Sequence, residues 1–505
     1  MSEVADSPYS DSAPNIIQGG MGIAVSSWQL ARRVAMLGEI GIVSGTSLDG
    51  VMVRELQDGD PYERRKAMED YPDPEIVEEV IDTYYIEGGI SEDESYKLLP
   101  MHRFDPTVRS QRILSLAAYS EVKLAQQDHD GIIGINLLAE LKRYTLPVMY
   151  GSILAEVDHI LMGAGIPKEE AEQVPKLVRG EPARLKLEVD TSQYDDPKDN
   201  YYYEMDPAHL LDDPPDDLPR PDFYPIIASD VLAKILDHKL GESNISGWII
   251  EGPVAGGHNA PPRNKQVDED GNPIYDERDI VDLDRVKELG YPFYMAGGYG
   301  SPERLQLAQE AGAEGVQVGS LFSLTDESGY PAEYKRKMIR NIHRGKISVR
   351  TDGRMSPTGF PFKVVEMEGT LGIPENYENR TRICDLGYLQ KAYLDQKGRL
   401  RARCPSEPVE AYVKKGGKRE ETEGRGCLCN GLMANIGLGQ QQKWGEEGQL
   451  FTGGDELENL PLASAEEPTY DARDVIEDLY DVKAPAGKTI ANSSTTNEEP
   501  TTFLP

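Results

Sequence analysis

The sequence predicts a (β/α)8 barrel, and three glycine-rich segments carry that prediction. Segments 247–258, 293–298 and 315–320 are short apolar runs that each stop at glycine. Such runs are typical of buried parallel strands whose C-terminal ends meet a ligand. A barrel of this class often binds a phosphate through the loops after its seventh and eighth strands. The last two segments, joined by one amphipathic helix, fit those two positions.

Strand and helix patterns alternate along the first 330 residues, which favours a parallel α/β architecture. Residues 1–13 form a polar leader that we expect to be disordered. After it come, in order, a strand within 14–22, a helix at 27–37, a strand at 38–45, a helix at 110–127, strands at 131–138 and 157–165 with a helix between them, and a strand at 223–229 with a helix at 230–239. The three glycine-rich segments complete the series, and the barrel is placed at 14–330.

A ninth strand candidate, 183–189, is one too many for the barrel and is left out of it. It leads into a stretch of aspartate, tyrosine and proline that is typical of an excursion. Acidic or turn-rich insertions are predicted near 58–105, 190–219 and 261–284. Loops at the C-terminal face of such a barrel shape access to the substrate.

The pattern changes after residue 330. Segment 331–450 is predicted to be a helical or irregular extension that carries all four cysteines of the chain. Segment 451–505 is rich in glutamate, serine, threonine and asparagine, with one helix near 472–479. We expect this acidic tail to be mobile.

The formal net charge of −35 comes from 88 acidic against 53 basic residues. This excess repels nucleic acids and anionic membranes, so neither is an expected partner. A surface suited to high salt, as in halophile proteins, and ordinary acidic tails both explain the charge. No apolar run approaches the roughly 20 residues that span a bilayer, and the N-terminus lacks a signal-peptide pattern. We expect a cytoplasmic protein, and a homo-oligomer remains an open alternative.

The ends of the last two predicted strands carry the chemistry of a phosphate site. Gly297 and Gly298 precede a helix, and Gly319 is followed by Ser320. Glycines let backbone N–H groups approach an anion, and the helix N-terminus adds its positive dipole end. One glycine pair means little among 49 glycines, but two at matched strand ends are specific. Turn formation without a ligand is the alternative.

His258 is the candidate catalytic residue. Of the seven histidines, it alone follows a glycine pair at a predicted strand end. An imidazole titrates near neutral pH, so it can remove a proton from a carbon acid or hold an anion. The alternative is a histidine satisfied by hydrogen bonds within the fold.

These motifs resemble the nitronate monooxygenase family, formerly called 2-nitropropane dioxygenases. The likeness runs from about residue 14 to 324, with a further match at 356–360, and Ser320 stands where the family has threonine. The matching segments are the Gln-Gly-Gly-Met-Gly at 18–22, the Gly-Ile-Asn at 134–136, the Ala-Gly-Gly-His at 255–258, the Ala-Gly-Gly at 296–298 and the Gly-Val-Gln-Val-Gly-Ser at 315–320.

The resemblance implies bound FMN and a site built from the matched positions. The implied cofactor-binding residues are Gln18, Gly20, Met21, Asn136, Gly256, Gly257, Gly297, Gly298, Gly319 and Ser320. The implied reaction oxidises an alkyl nitronate with O2 to a carbonyl compound and nitrite. Two alternatives stay open: an NAD(P)H-dependent flavin reductase of an enoyl thioester or a quinone, and a non-catalytic electron-transfer or scaffold subunit.

The four cysteines are the reason for considering an electron-transfer or scaffold subunit. Cys384, Cys404, Cys427 and Cys429 lie close together in a chain with no other cysteine. A metal ion or iron–sulfur cluster would use such a set, but the close pair is Cys-Leu-Cys rather than Cys-x-x-Cys. Packing of small buried side chains is the favoured interpretation, and a redox disulfide is a further one.

Overall fold

The computed structural model describes residues 14–91, 93–241, 244–269 and 271–482. The predicted leader and residues 483–505 lie outside these ranges. Eight parallel strands form the central barrel: β1 Ile16–Gln18, β2 Gly41–Ser44, β3 Ile133–Leu138, β4 His159–Gly163, β5 Asp222–Ile227, β6 Trp248–Glu251, β7 Phe293–Ala296 and β8 Gly315–Val318.

The eight strands pair in chain order and close on themselves. Seven parallel ladders run from β2 through β3 to β8 and on to β1. A parallel bridge between Ile17 and Ile40 completes the circle, with Gln18 N donating to Ile40 O at 3.0 Å. The predicted (β/α)8 barrel is therefore confirmed.

Helices follow the strands and cover the outside of the barrel. The main ones are Trp28–Met36, Leu48–Gln57, Val108–Ala125, Lys142–Leu154, Val174–Val178, Asp230–Leu240, Leu283–Lys287, Pro302–Glu310 and Ser320–Ser323. The barrel interior is filled by side chains that alternate inward along the strands, namely Ile17, Ile40, Ile42, Leu161, Ile249, Tyr294 and Ala296. Because these side chains fill the interior, a cavity can form only at the C-terminal ends of the strands.

The ninth strand candidate lies outside the barrel, as predicted. Ala183–Leu187 pairs antiparallel with Tyr201–Met205. The neighbouring strand Val189–Asp190 pairs with Lys391–Leu394, which also pairs with Leu400–Arg403. The excursion near 190–219 and the C-terminal extension are thus joined through one small sheet.

The insertions and the extension contain further short elements. The insertions hold helices Arg64–Ala67, Pro74–Tyr84 and Pro207–Leu210 and the 3-10 turn Glu277–Asp279. The extension holds helices Ala332–His343, Pro374–Glu378, Val409–Lys414 and Leu428–Asn435 and the antiparallel strands Ser348–Asp352 and Phe362–Glu366. No helix among the described residues combines the length and the apolar character that crossing a bilayer requires.

The prediction of a mobile tail is wrong for residues 451–482, because this segment packs on the barrel. Phe451 is buried, and Tyr470 donates its hydroxyl proton to Leu321 O at 2.5 Å. Helix Ala472–Leu479 buries Ala472, Val475, Ile476 and Leu479. Apolar side chains at this helical spacing form one stripe, and that stripe outweighs the acidic composition around it.

Candidate functional site

A large cavity opens at the C-terminal ends of the barrel strands. Its wall contains turns that follow β1, β2, β3, β4, β6, β7 and β8. The C-terminal extension closes the far side. The extension contributes Phe362, Tyr388, Leu389, Leu428, Cys429 and Leu432 to the wall, and residues from outside 331–450 add Tyr330, Thr452, Gly453, Gly454 and Glu456. The cavity therefore lies between the barrel and the extension, not on the barrel alone.

The turn after β7 lines the cavity with two glycines in the left-handed region. Gly297 has a φ of 78° and Gly298 a φ of 83°. A Cβ at Gly297 would lie 2.9 Å from Gly252 O, and one at Gly298 would lie 3.0 Å from Val254 Cγ2. The helix Pro302–Glu310 begins directly after this turn. Backbone strain and space both require glycine here, as they do in anion-binding turns.

Gly319 and Ser320 line the same cavity at the end of β8. Ser320 Oγ accepts a hydrogen bond from Gly454 N at 2.9 Å. A hydroxyl that accepts one bond can still donate its proton to an anion. The structure thus brings all four predicted phosphate residues into one cavity, with Gly454 of the segment after residue 450 beside them.

Segment 452–456 covers this end of the cavity, and sequence reasoning missed it. Thr452 Oγ1 accepts from Gly257 N at 2.9 Å, and Asp455 N donates to Val254 O at 3.0 Å. Glu456 Oε1 accepts from Gly300 N at 2.6 Å, and burial raises the pKa of Glu456. The pair Gly453–Gly454 carried the same signal as the barrel glycines. It was overlooked because the surrounding composition is that of a tail.

The opposite side of the cavity presents polar atoms that lack partners. Asn136 Nδ2 donates to Gly20 O at 2.8 Å, and a Cβ at Gly20 would lie 2.1 Å from the Asn136 Cβ. Asn136 Oδ1 and Gln317 Oε1 are buried and make no hydrogen bond within the described structure. Gly20, Met21, Asn136 and Gln317 all line the cavity. Buried polar atoms without partners are costly, so their presence here favours a polar ligand.

Gln18 differs from its predicted role, because its side chain lies behind the cavity wall. The residue is 0% exposed, and its amide nitrogen donates to Gly19 O and to Ser26 Oγ at 2.6 and 2.7 Å. Its Oε1 accepts from Ile42 N at 3.1 Å. These bonds join β1 to β2, so Gln18 supports the closure of the barrel.

His258 lines the cavity after the turn of Gly256 and Gly257. Its ring lies edge-on to Phe362, with 5.0 Å between the centroids, and its backbone forms a bridge with the same residue. His258 Nε2 lies 2.8 Å from Ser356 Oγ. Burial lowers the pKa of His258 to about 4, so the imidazole is neutral at physiological pH.

Two buried glutamates at the cavity were not found from the sequence. Glu140 follows β3, and its Oε1 lies 3.8 Å from His258 Nε2; burial raises its pKa to about 7. Glu251 ends β6 and lines the cavity, and burial raises its pKa to about 8. With 88 acidic residues in the chain, nothing in the local sequence singles these two out.

The four cysteines converge on a second, much smaller cavity within the extension. Cys384, Cys404, Cys427 and Cys429 all line it, and all four are free thiols. Burial raises the pKa of each thiol, to about 12 at Cys404. Over the ranges that the structure describes, no group of three or more His, Cys, Asp or Glu residues is arranged to hold a metal ion. Cys429 also lines the large cavity.

The similarity of this chain to known proteins is low. No protein-family model and no curated protein sequence matches the chain. Among solved structures, FabK from Thermotoga maritima is 15% identical with a TM-score of 0.46, over 94% of this chain and 93% of that one. A nitroalkane oxidase from Streptomyces ansochromogenes is 13% identical with a TM-score of 0.43, over 93% and 96%.

A third solved structure covers less of both chains. The enoyl reductase domain of MlnA from Bacillus amyloliquefaciens is 13% identical with a TM-score of 0.36, over 70% of this chain and 64% of that one. Identities and scores this low do not transfer an activity. The chemistry of this chain is therefore inferred from its own cavity.

Proposed function

We propose that the chain is an FMN-dependent oxidoreductase and that its reaction is the oxidation of alkyl nitronates with O2. One observation carries this proposal: a single cavity holds the neutral imidazole of His258 and an anion cradle, which is the group Gly297, Gly298, Gly319 and Ser320. The cradle fits a phosphate, and the imidazole fits proton removal from a carbon acid. The sequence motifs that resemble the nitronate monooxygenase family lie in this same cavity.

The residues around the cavity fit FMN on two counts. Gly297, Gly298, Gly319 and Ser320 would hold the phosphate, because a Cβ at Gly297 or Gly298 would meet neighbouring atoms. Gly20, Met21, Asn136, Gly256 and Gly257 would lie against the ring, and the unpaired Asn136 Oδ1 would accept a hydrogen bond from a ring N–H. Gln18 is left out of this set because its side chain is already fully bonded.

When bound, FMN supplies two-electron oxidation of the substrate and reacts with O2, so the protein needs no nucleophile of its own. The chain orients the substrate and excludes water from it. The apolar wall formed by Leu389, Leu428 and Leu432 would bind the hydrocarbon part of a substrate.

His258 would act on the substrate before oxidation if a neutral nitroalkane is bound. A neutral imidazole nitrogen takes the proton from the carbon next to the nitro group. The C–H bond breaks, its electron pair stays on the substrate as the nitronate, and His258 becomes an imidazolium. A substrate that arrives as the nitronate has no such proton, so His258 would then only anchor the anion.

One observation favours a second candidate within the same chemistry. Leu389, Leu428 and Leu432 of the extension line one side of the cavity with hydrocarbon. An acyl chain would pack against this side, which favours an NAD(P)H-dependent reductase of an enoyl thioester. The two candidates differ in the direction of electron flow, because a nitronate reduces the flavin itself and an enoyl thioester needs NAD(P)H to do so.

Flavin content and anaerobic reduction test the proposal together. The purified protein should contain FMN, identified by chromatography after denaturation. Under anaerobic conditions, nitroethane or its nitronate should bleach the flavin absorbance, and nitrite should form when air is admitted. Bleaching by NADH or NADPH alone would establish the reductase instead. FAD, or no flavin, would overturn the cofactor assignment.

A further inference from the structure

Glu140 and His258 form a buried pair, in which His258 lines the large cavity and Glu140 lies beside it. Glu140 Oε1 lies 3.8 Å from His258 Nε2, and each side chain is 11% exposed. The two residues reach this place from different elements, since Glu140 follows β3 and His258 follows β6. A separation of 3.8 Å is about 1 Å longer than a charge-assisted hydrogen bond, so a small side-chain movement would close it.

The carboxylate of Glu140 has few partners. Both of its oxygens are buried, and neither makes a hydrogen bond of ordinary geometry within the described structure, although the Thr358 hydroxyl is close enough to lower the pKa of Glu140. Lys391 lowers its pKa, but the Lys391 ammonium donates to Thr358 O at 3.0 Å. Burying a carboxylate without partners is expensive, and proteins rarely do so without a functional reason.

A chain of hydroxyls lies beside the pair. Ser356 Oγ lies 2.8 Å from His258 Nε2 and 2.8 Å from Thr358 Oγ1. The Thr358 hydroxyl also lowers the pKa of Glu140, so it is close to the carboxylate. His258 Nε2 therefore faces both a proton-accepting carboxylate and a hydroxyl that can relay a proton.

We propose that Glu140 accepts the Nε2 proton of His258 while the other ring nitrogen takes the proton of the substrate, so that Glu140 acts as a positioning residue through the His258 Nε2 atom. The inference rests on the function proposed above and adds a second group to its proton transfer. His258 Nδ1 carries the lone pair that takes the substrate proton, while Nε2 carries the hydrogen that faces Glu140.

Two proton movements make up the step. The substrate C–H bond breaks, its electron pair stays on the substrate, and a new N–H bond forms at His258 Nδ1. The Nε2 hydrogen moves to Glu140 Oε1, directly or through Ser356, and leaves a neutral imidazole and a carboxylic acid. The charge of the pair changes from −1 to 0, so the site does not have to bury an unpaired imidazolium.

Burial explains why His258 needs this partner. Because desolvation lowers the pKa of His258 to about 4, the imidazole alone is a weak base. The pKa of Glu140, raised to about 7, gives the pair a proton affinity near neutral pH. Other charged groups nearby are Lys391, Glu251 in the same cavity wall, and Lys363, whose Nζ forms an ion pair with Asp455 at 2.6 Å.

Kinetics of the purified holoenzyme test the pair with Glu140→Gln and Glu140→Asp. Glu140→Gln should lower kcat/KM for neutral nitroethane by about 10–100-fold, a typical share of general-base catalysis. It should change the value for preformed ethyl nitronate by less than about threefold. The acid limb of the nitroethane pH profile, expected near pH 7, should move toward the lower pKa of the lone imidazole, and Glu140→Asp should restore part of the rate.

Glu39→Gln is a matched control. Glu39 is also a buried glutamate, and burial raises its pKa to about 6, but it accepts from Ile16 N at the opposite end of the barrel. This variant should leave both substrates and the pH profile unchanged. An equal loss on both substrates in Glu140→Gln, or an unmoved acid limb, would overturn the inference.

A second readout does not depend on turnover. In protein labelled with ¹³C at the histidine Cε1, the His258 resonance is identified by its loss in His258→Asn. It should shift with a midpoint near pH 7 in the wild type and lose that step in Glu140→Gln. Identical titrations would overturn the pair even if turnover is normal. Absence of flavin bleaching with a preserved pH 7 step would instead count against the proposed function alone.

Discussion

The large cavity and the cysteine cavity both gather reactive residue types, but their surroundings differ. The large cavity is open, and its wall contains polar atoms without partners at Asn136 and Gln317, with the Glu140 carboxylate beside His258. The cysteine cavity is small; Cys404, Cys427 and Cys429 are buried, Cys384 is partly buried, and the pKa values of all four thiols are raised. A thiol held in its protonated form is a poor nucleophile and a poor metal ligand.

The difference shows that clustering alone does not make a site. The cysteines cluster more tightly in sequence than the residues of the large cavity do, since those come from positions 19 to 456. What distinguishes the large cavity is open space beside polar groups that need a partner. The small cavity lacks such space, and packing of its thiols stays a prediction, which the cysteine variant described below tests.

Loss of the anion cradle should have the largest effect. In Gly298→Leu, a side chain would occupy the place of the phosphate, so we expect no retained flavin. Gly290→Leu is the control, because Gly290 has a φ of 79° but lies before β7, and a Cβ there would meet no atom within 4 Å. Flavin absorbance after gel filtration measures both. A yellow Gly298→Leu protein would contradict the phosphate assignment.

Removal of the His258 imidazole should have the second largest effect. His258→Asn should lose about 10²–10⁴-fold on neutral nitroethane, or roughly 3–5 kcal/mol of barrier lowering. The loss on the preformed nitronate should be much smaller, because no proton has to be removed. His159→Asn, another buried histidine whose pKa burial lowers, is the control at the N-terminal end of β4. Equal losses on both substrates would leave His258 only an anion-binding role.

A smaller effect is expected in the pH dependence of stability. Burial raises the pKa of Glu251 to about 8, above its ordinary value of 4.5, so the folded protein prefers the protonated form. The contribution of Glu251 to stability is therefore full below about pH 4.5 and is lost as the pH rises through about 8. Glu251→Gln should gain about 1 kcal/mol or more over the wild type between pH 5 and pH 9.

Thermal unfolding of both proteins across this range measures the difference. A constant offset between them would mean that Glu251 does not titrate as burial predicts. The comparison with the wild type removes the general effect of the net charge of −35, which both proteins share almost fully.

The cysteines should matter least for turnover. Replacing all four with serine should leave FMN content and turnover within about threefold, or roughly 0.7 kcal/mol in barrier. In the native wild type, iodoacetamide should react slowly, because the thiols are buried and protonated. Stoichiometric zinc or iron that is lost from the variant together with turnover would reverse the comparison between the two cavities.

The sequence predicted the parts of the fold that local patterns encode. Glycine-terminated apolar runs located β6, β7 and β8, and the exclusion of 183–189 from the barrel was correct. The candidate residues from His258 to Ser320 also meet in one cavity. Each of these depends on short stretches of chain whose periodicity or glycine content is distinctive.

The features that were missed depend on contacts between distant residues. Glu140 matters only because His258 lies 118 positions away in the chain but 3.8 Å away in space. Gln18 matched a family motif, but its bonds to Ser26 and Ile42 turn its side chain into the wall. The burial of one face of helix Ala472–Leu479 was not predicted, because the composition around it is acidic.

Segment 452–456 has a consequence for the order of events during synthesis. It bonds to Gly257, Gly300 and Ser320, which leave the ribosome more than 130 residues earlier. All eight barrel strands are made before this segment exists, so a nascent barrel has an uncovered pocket. Whatever ligand the pocket holds can be enclosed only when translation of the described chain is almost finished.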